Sequence, residues 1–238
     1  MVAEAEPDPA VRRLVDAVTR LAEHTRDRRP TGTTHDDADD TAGTVDTDDA
    51  VGFDPFPLLD ALHRTGAEAV VIGQVAGILH GSRELTGDLD LLWDGAPAQA
   101  HAIARAFAST GAVLTDGDGH PLPVADESLA LPKVLFRTAT ASGDCCTPAL
   151  PWGDLPVVEF IARADRATTA AGTQIRYLNR ADLIAMRRAV GRPKDLRRAA
   201  ELARLDPLRN RGAAPAPADD HSDRTPGGNG RGPRLTAG

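Results

Sequence analysis

Two aspartates separated by one leucine, Asp88 and Asp90, are the residues whose type and spacing most directly indicate chemistry in this chain. They lie in the segment TGDLDLL (86–92), whose apolar residues are typical of a buried strand. Alternate strand residues point to one face, so the carboxylates would lie side by side with their Cα atoms about 7 Å apart. Such a pair is unfavourable without a cation, and carboxylates suit Mg²⁺ or Mn²⁺. The alternative is a strand edge with two solvated aspartates.

The segment just before this pair would position it. Residues 69–72 form a short β-branched run that predicts a buried strand, and Gly73 ends that run. Apolar residues between 74 and 80 then follow helical spacing, and Gly81 stands where the helix would end. A strand, a glycine turn and a short helix therefore precede the acidic strand. The start of that helix would favour a phosphate group.

This order of elements, in the segment VIGQVAGILHGSRELTGDLDLLW (71–93), resembles the nucleotidyltransferase superfamily and, within it, the branch of AbiEii-type toxins. A Gly-Ser-x-x-x-Thr-x-Asp-x-Asp pattern recurs in that branch. The resemblance implies that Asp88 and Asp90 are catalytic and hold a metal ion. It also implies that residues of the two turns bind the nucleotide, namely Gly73, Gln74, Gly81, Ser82, Arg83 and Thr86.

The chain departs from the family pattern at two places. Gln74 stands where the family has a second small residue, and a bulky side chain there would crowd a phosphate that approaches the backbone. The family also has a third carboxylate, which aligned on Gly143 falls at Cys146, whereas the chain has Asp144. Residues 144 and 146 share one face of a strand, so Asp144 could reach the site from one pleat away. The alternative is that the third acid is lost.

A second stretch, DLIAMRRAVGRPKD (182–195), resembles the closing motif of the family, in which a lysine often stands at the Arg187 position. Asn179 is typical of an N-cap for a helix over this stretch, and a last helix would follow. Arg192 and Lys194 lie near the start of that last helix, where phosphate is favoured. We therefore expect Lys194 and Arg187 to contact phosphate, the alternative being ordinary surface charge.

Composition divides the 238 residues into four parts. Residues 1–26 contain an amphipathic helix, and residues 27–54 form an aspartate-rich segment that we expect to be a disordered linker. Residues 55–210 form the nucleotidyltransferase-like domain. Residues 211–238 are rich in Gly and Pro and predict a disordered tail.

Charge and cysteine content exclude several classes of function. The net charge of −8 comes largely from the acidic linker, because residues 55–210 contain 18 acidic and 17 basic side chains. A broad basic surface for nucleic acid is therefore not indicated. The two cysteines are adjacent and suggest neither a disulfide framework nor a zinc site. No apolar run could span a membrane and no signal peptide is evident, so we expect a cytoplasmic protein.

The sequence therefore predicts an α+β, α/β-like nucleotidyltransferase fold, with a small mixed sheet packed by helices and a helical C-terminal part. The resemblance implies an enzyme that moves a nucleotidyl group from an NTP to an RNA, protein or small-molecule acceptor. Asp88, Asp90 and Asp144 would be catalytic, with Mg²⁺ or Mn²⁺ as cofactor. It also allows the toxin of a toxin–antitoxin pair, acting on tRNA or protein and bound by an antitoxin. The alternative is a catalytically degenerate nucleotide-binding or regulatory protein on the same fold.

Overall fold

The computed structural model describes residues 6–33 and 43–205. Within these residues the chain is a mixed α+β structure in which helices pack against one eight-stranded sheet. The helices are α1 (Pro9–Thr25), α2 (Phe56–Thr65), α3 (Gly73–Leu79), α4 (Pro97–Ser109), α5 (Asp126–Leu129), α6 (Val157–Ala162), α7 (Arg180–Val190) and α8 (Pro193–Arg204). The strands are β1 (Val70–Val71), β2 (Leu91–Leu92), β3 (Val113–Thr115), β4 (Pro121–Leu122), β5 (Lys133–Arg137), β6 (Ser142–Cys146), β7 (Asp165–Thr168) and β8 (Gln174–Tyr177).

The strand order is β4-β3-β5-β6-β2-β1-β8-β7, with β6 and β2 in the middle of the sheet and β1 next to β2. Strand β2 is antiparallel to β1, with Val70 opposite Leu92, and parallel to β6, with Leu91 beside Cys145. Strand β1 is also parallel to β8. Both residues of β1 and both of β2 are buried, as the apolar runs predicted. The sheet is mixed, and its centre carries the segment that the sequence marked for chemistry.

Helix α1 confirms the predicted N-terminal helix and belongs to the main core. Its apolar face, with Val11, Leu14 and Leu21, is buried in the same cluster as the central strands. The guanidinium of Arg13 donates to the carbonyl oxygen of Leu79, at the end of α3, over 2.6 and 3.1 Å. The predicted helix therefore covers the domain rather than standing apart from it.

The structure departs from the expected disordered linker at residues 43–54. Two 3₁₀ turns form there, at Gly43–Asp46 and Asp48–Ala50, and Ala50 and Phe53 enter the core. Asp49 is buried and ion-paired with Arg137. The composition rule was misleading here because a short segment needs few apolar side chains when its polar groups are bonded to the domain. Residues 34–42 of the predicted linker and the predicted tail (211–238) lie outside the described residues.

The helical C-terminal part is confirmed for α7 and α8. The side chain of Asn179 accepts a hydrogen bond of 3.0 Å from the backbone N–H of Asp182, so it caps α7 as predicted. Gly191 ends that helix in the left-handed conformation. Helix α8 then buries charged side chains, including Lys194 and Arg198. In the described ranges, no helix has both the length and the apolar character that crossing a membrane requires.

Candidate functional site

A cavity of about 450 Å³ collects most of the residues that the sequence singled out. Its lining comes from the turn before α3, the residues around β2, strands β5 and β6, the turn near residue 44, and helices α7 and α8. Eight of the predicted site residues line it, namely Gly73, Gln74, Thr86, Asp88, Asp90, Asp144, Arg187 and Lys194. Gly81, Ser82 and Arg83 do not contribute to its lining.

Asp88 and Asp90 lie just before strand β2, which is shorter than the sequence suggested. The backbone nevertheless continues the sheet pairing through them. The backbone N–H of Leu89 donates to the carbonyl oxygen of Ser142 over 2.8 Å, and the carbonyl of Asp90 accepts from the backbone N–H of Ile72 over 2.9 Å. The two aspartates are therefore held by neighbouring strands on both sides, although only residues 91 and 92 form the strand itself.

Asp144 lies beside Asp90, and this position bears on the question of the third acid. Strands β2 and β6 run parallel with Leu91 beside Cys145, so the same register places Asp144 next to Asp90 and Cys146 next to Leu92. A Cβ atom on Gly143 would overlap the backbone of Leu89, so only glycine allows this close approach of the two chains. Comparison with the family pattern had put the third acid at position 146. Both Asp144 and Cys146 line the cavity, so the carboxylate that reaches the site is the one at position 144.

The three carboxylates form an electrostatically unfavourable cluster. Burial, followed by the charges of Asp88 and Asp144, raises the pKa of Asp90 well above its ordinary value. Asp144 accepts a hydrogen bond of 3.2 Å from the ammonium of Lys133 through Oδ2, while its Oδ1 is buried with no hydrogen-bond partner in the described residues. Oxygen ligands that repel one another and include an unbonded buried atom fit a divalent cation.

Asp88 is held by two threonine hydroxyls. Thr44 Oγ1 donates to Asp88 Oδ1 over 2.8 Å, and the hydroxyl of Thr86 donates to the same oxygen. Thr44 also accepts a hydrogen bond of 3.0 Å from the backbone N–H of Gly87. Thr86 belongs to the motif that the sequence pointed to, whereas Thr44 lies in the acidic segment. No spacing rule connects Thr44 to residue 88, so sequence reasoning had no signal for it.

Gly73 and Gln74 are the first two residues of α3, shortly after β1, and they have different functions. A Cβ atom on Gly73, whose φ is +62°, would overlap the carboxylate of Asp90, so this glycine makes room for the acid. The side chain of Gln74 is buried and turns inward, where it donates to Ser82 Oγ over 3.0 Å and to the carbonyl of Glu84 over 2.8 Å. Gln74 therefore ties the two turns together, which explains a large residue at this position.

Arg187 is the most deeply placed cation of the cavity, with 4% of its surface exposed. Its Nη2 donates to the carbonyl of Gly73 over 2.9 Å and to Gln74 Oε1 over 2.8 Å. Its Nη1 is buried without a hydrogen-bond partner in the described residues. Burial, and then the neighbouring charge of Arg198, lowers the pKa of Arg187 to about 10. A buried guanidinium with an unused donor beside a cavity is suited to bind an anion.

Helix α8 adds further charge to this side of the cavity. Lys194, Asp195 and Arg198 are all buried and all line it. Arg192 donates to Asp195 over 2.6 Å, and Arg198 forms an ion pair of 2.7 Å with Glu84. Arg198 was missed by sequence reasoning, although its spacing of four residues from Lys194 would have placed both on one helix face.

Gly81, Ser82 and Arg83 support the site from outside. Ser82 accepts from Gln74 and donates to Glu201 Oε2 over 2.9 Å, so it links α3 to α8. The backbone N–H of Gly81 closes the end of α3 by bonding to Ile78. Arg83 is exposed. The Gly-Ser pair of the motif therefore holds together the elements that carry the charged groups.

Lysine occurs in this chain only at the cavity. The sequence has 27 basic Lys and Arg side chains, and its only lysines are Lys133 and Lys194, which both line the cavity. Lysine offers a compact ammonium where arginine offers a planar fork.

A second group of ligand-type side chains lies elsewhere, at Asp116, Asp118 and His120 between β3 and β4. Their potential ligand atoms lie within 4.8 Å of one another. Asp116 Oδ1 is already bonded to the backbone N–H groups of Asp118 and His120. These bonds account for the cluster as a loop stabiliser, and nothing else in the described residues indicates a metal there.

No family model matches the chain, and no match was found among curated proteins or among solved structures. The function must therefore be inferred from the site itself.

Proposed function

We propose that this protein is a metal-dependent nucleotidyltransferase, which moves a nucleotidyl group from an NTP to an acceptor. The observation that carries the proposal is the meeting of opposite charges in one cavity. Asp88, Asp90 and Asp144 lie on its sheet side, and Arg187, with an unused buried donor, comes from α7. The carboxylates favour a cation, and the guanidinium beside them favours an anion. A metal–triphosphate complex satisfies both groups, whereas a metal ion or a phosphate group alone would satisfy only one.

Asp88 and Asp90 would hold Mg²⁺ or Mn²⁺, with Asp144 beside them. Oxygen is the ligand type that these ions prefer, and the raised pKa of Asp90 reflects a charge cluster that such an ion would relieve. When bound, the ion would neutralise and orient the triphosphate.

The residues of the chain would divide the remaining tasks. Arg187 and Lys194 would bind phosphate oxygens. Gly73 leaves room for the carboxylate of Asp90 at the start of α3. An acceptor oxygen would attack the α-phosphorus, and the bond from that phosphorus to the β-bridging oxygen would break as pyrophosphate leaves. The proton of the acceptor would pass to a carboxylate, for which the unbonded Oδ1 of Asp144 is the candidate.

The nucleotidyltransferase fold and the AbiEii-like branch are part of this proposal. Their support is that the two motifs, around residues 81–90 and 182–195, meet at one cavity although about 100 residues separate them. On this view the acceptor is a tRNA or another molecule and an antitoxin partner is expected, as for a toxin of this branch.

The test is a transfer assay with each NTP labelled at its α-phosphate, total RNA or total protein as acceptor, and Mg²⁺ or Mn²⁺. We expect the wild type to label an acceptor and Asp90→Ala to label none. Metal-dependent NTP binding without transfer to any acceptor would contradict the proposed enzymatic activity. It would favour the alternative, a nucleotide-binding or regulatory protein. Absence of both binding and transfer would contradict the whole proposal.

A further inference from the structure

The cavity has an apolar portion that the charged groups do not explain. After strand β6 the chain turns through residues 147–152, and Leu150 and Trp152 line the cavity. Helix α7 adds Leu183, Met186 and Val190 at spacings of three and four residues, beside Arg187. A site that binds only a metal ion and inorganic phosphate does not need apolar side chains in its lining, whereas pockets for organic ligands are mostly apolar.

Trp152 is fixed in place by hydrogen bonds. Its ring Nε1 donates to the carbonyl of Thr147 over 2.8 Å, and its backbone N–H donates to the carbonyl of Leu150 over 2.8 Å. Thr147 directly follows β6, the strand that carries Asp144. The ring therefore has a set position relative to the carboxylates. Because its only donor is used within the turn, what it can offer a ligand is the face of its ring.

We propose that Trp152 binds the nucleobase of the NTP by stacking, with Leu150 and the apolar face of α7 completing a base subsite. This inference rests on the proposed function and adds to it the place of the base. A nucleoside triphosphate is charged at one end and aromatic at the other, as the cavity lining is. Every base has an aromatic face, so a subsite of this kind strengthens binding of all four NTPs rather than selecting one.

The experiment compares an NTP with inorganic tripolyphosphate, which has the same phosphate chain and no base. Calorimetry with Mg²⁺ or Mn²⁺ would measure the affinity of both ligands for the wild type, Trp152→Ala and Trp152→Phe. We expect Trp152→Ala to bind ATP about 10-fold more weakly and tripolyphosphate unchanged, since base–aromatic stacking is lost. Trp152→Phe keeps an aromatic face and should retain most of the ATP affinity. Val158→Ala, an exposed apolar residue outside the cavity lining, is the matched control.

Tryptophan fluorescence gives a readout that does not depend on a truncated variant. The other tryptophan, Trp93, is buried in the core with 1% exposed, so a change on ligand binding should come from Trp152. ATP should change the emission of the wild type, tripolyphosphate should not, and Trp152→Phe should lose the change while still binding ATP.

Each remaining result is decisive. If Trp152→Ala weakens the binding of ATP and tripolyphosphate equally, or weakens neither, the base subsite is overturned while the proposed function stays intact. Failure of the wild type to bind either ligand overturns both. A fluorescence change with tripolyphosphate as large as that with ATP also overturns the base subsite.

Discussion

The two sides of the cavity are built differently. On the sheet side, Asp88, Asp90 and Asp144 lie together with the ammonium of Lys133 and two threonine hydroxyls as their bonded partners. On the helical side, the cations largely alternate with acids, as in the pairs of Arg198 with Glu84 and Arg192 with Asp195. Of the four cations in the described residues that line the helical side, these two are therefore paired with acids, and Arg187 keeps an unused buried donor. The sheet side keeps an excess of negative charge.

Under the proposed function, this difference assigns a different ligand to each side. Carboxylates without a compensating charge favour a cation, and the guanidinium of Arg187, with its unused donor, favours an anion. Changes on the sheet side should therefore act through the metal, and changes on the helical side through phosphate. The following predictions test that division.

The largest effect is expected at Asp144. Asp144→Ala should lower the transfer rate by on the order of 10³, because a metal ligand or proton acceptor is lost. Cys146→Ala should leave the rate nearly unchanged, since Cys146 lies beside Leu92 and burial raises the pKa of its thiol, which keeps it an inert, neutral group. Rates measured by transfer of the α-phosphate label would check this. Equal rates for Asp144→Ala and wild type would remove Asp144 from the site.

The next effect concerns phosphate binding at Arg187. Arg187→Met should weaken binding of tripolyphosphate about 10- to 100-fold, because hydrogen bonds to a charged ligand contribute about 1.5–3 kcal/mol. Calorimetry with metal present would measure it. Arg188→Met is the matched control, as Arg188 is the exposed neighbour on the same helix. If both variants bound equally well, the helical side would not be the phosphate side.

The charge excess on the sheet side should appear in the pH dependence of stability. Because the pKa of Asp90 is raised in the folded protein, the folded state keeps a proton that the unfolded state has already lost. Without metal, stability is therefore full below the unfolded pKa of an aspartate and declines as pH rises through the folded pKa. The side chain of Asp90→Asn does not titrate, so this variant should not show the decline. The difference in melting temperature, variant above wild type, should therefore grow as pH rises.

Thermal unfolding in chelator from about pH 4, close to the ordinary pKa of an aspartate, to about pH 9 would measure this difference. Asp154→Asn, at an exposed position, serves as control. Added Mg²⁺ should stabilise the wild type more than Asp90→Asn. A wild type and Asp90→Asn with parallel pH profiles would show that the sheet side carries no excess charge.

The smallest effect is expected where the acidic segment touches the sheet side. Thr44→Val keeps the shape of the side chain and removes its hydrogen bonds to Asp88 and from the backbone N–H of Gly87. This loss should cost about 1.5 kcal/mol of unfolding free energy. Urea denaturation would measure it, with Thr115→Val on β3 as control. An unchanged free energy would mean that residue 44 contributes nothing to holding the carboxylate.

The sequence alone determined the local elements and the two motifs. Helices α1 and α3 follow from apolar spacing, because helix formation depends on residues three or four positions apart. The start of α7 follows from the side chain of Asn179, which caps it. Asp88 and Asp90 could be identified because two carboxylates in an apolar run are chemically conspicuous. The boundaries were less accurate, as the two-residue strand β2 shows.

Only the tertiary structure decided which residues meet. The register of β6 against β2 brings Asp144 to Asp90, and Gly143 permits that register by lacking a Cβ atom. Gln74 points inward to Arg187, more than 100 residues away, and Thr44 leaves an acidic segment to reach Asp88. These contacts join distant parts of the chain, and no local period encodes them. Their positions depend on how sheet and helices pack, and that packing is set by the whole core rather than by any one motif.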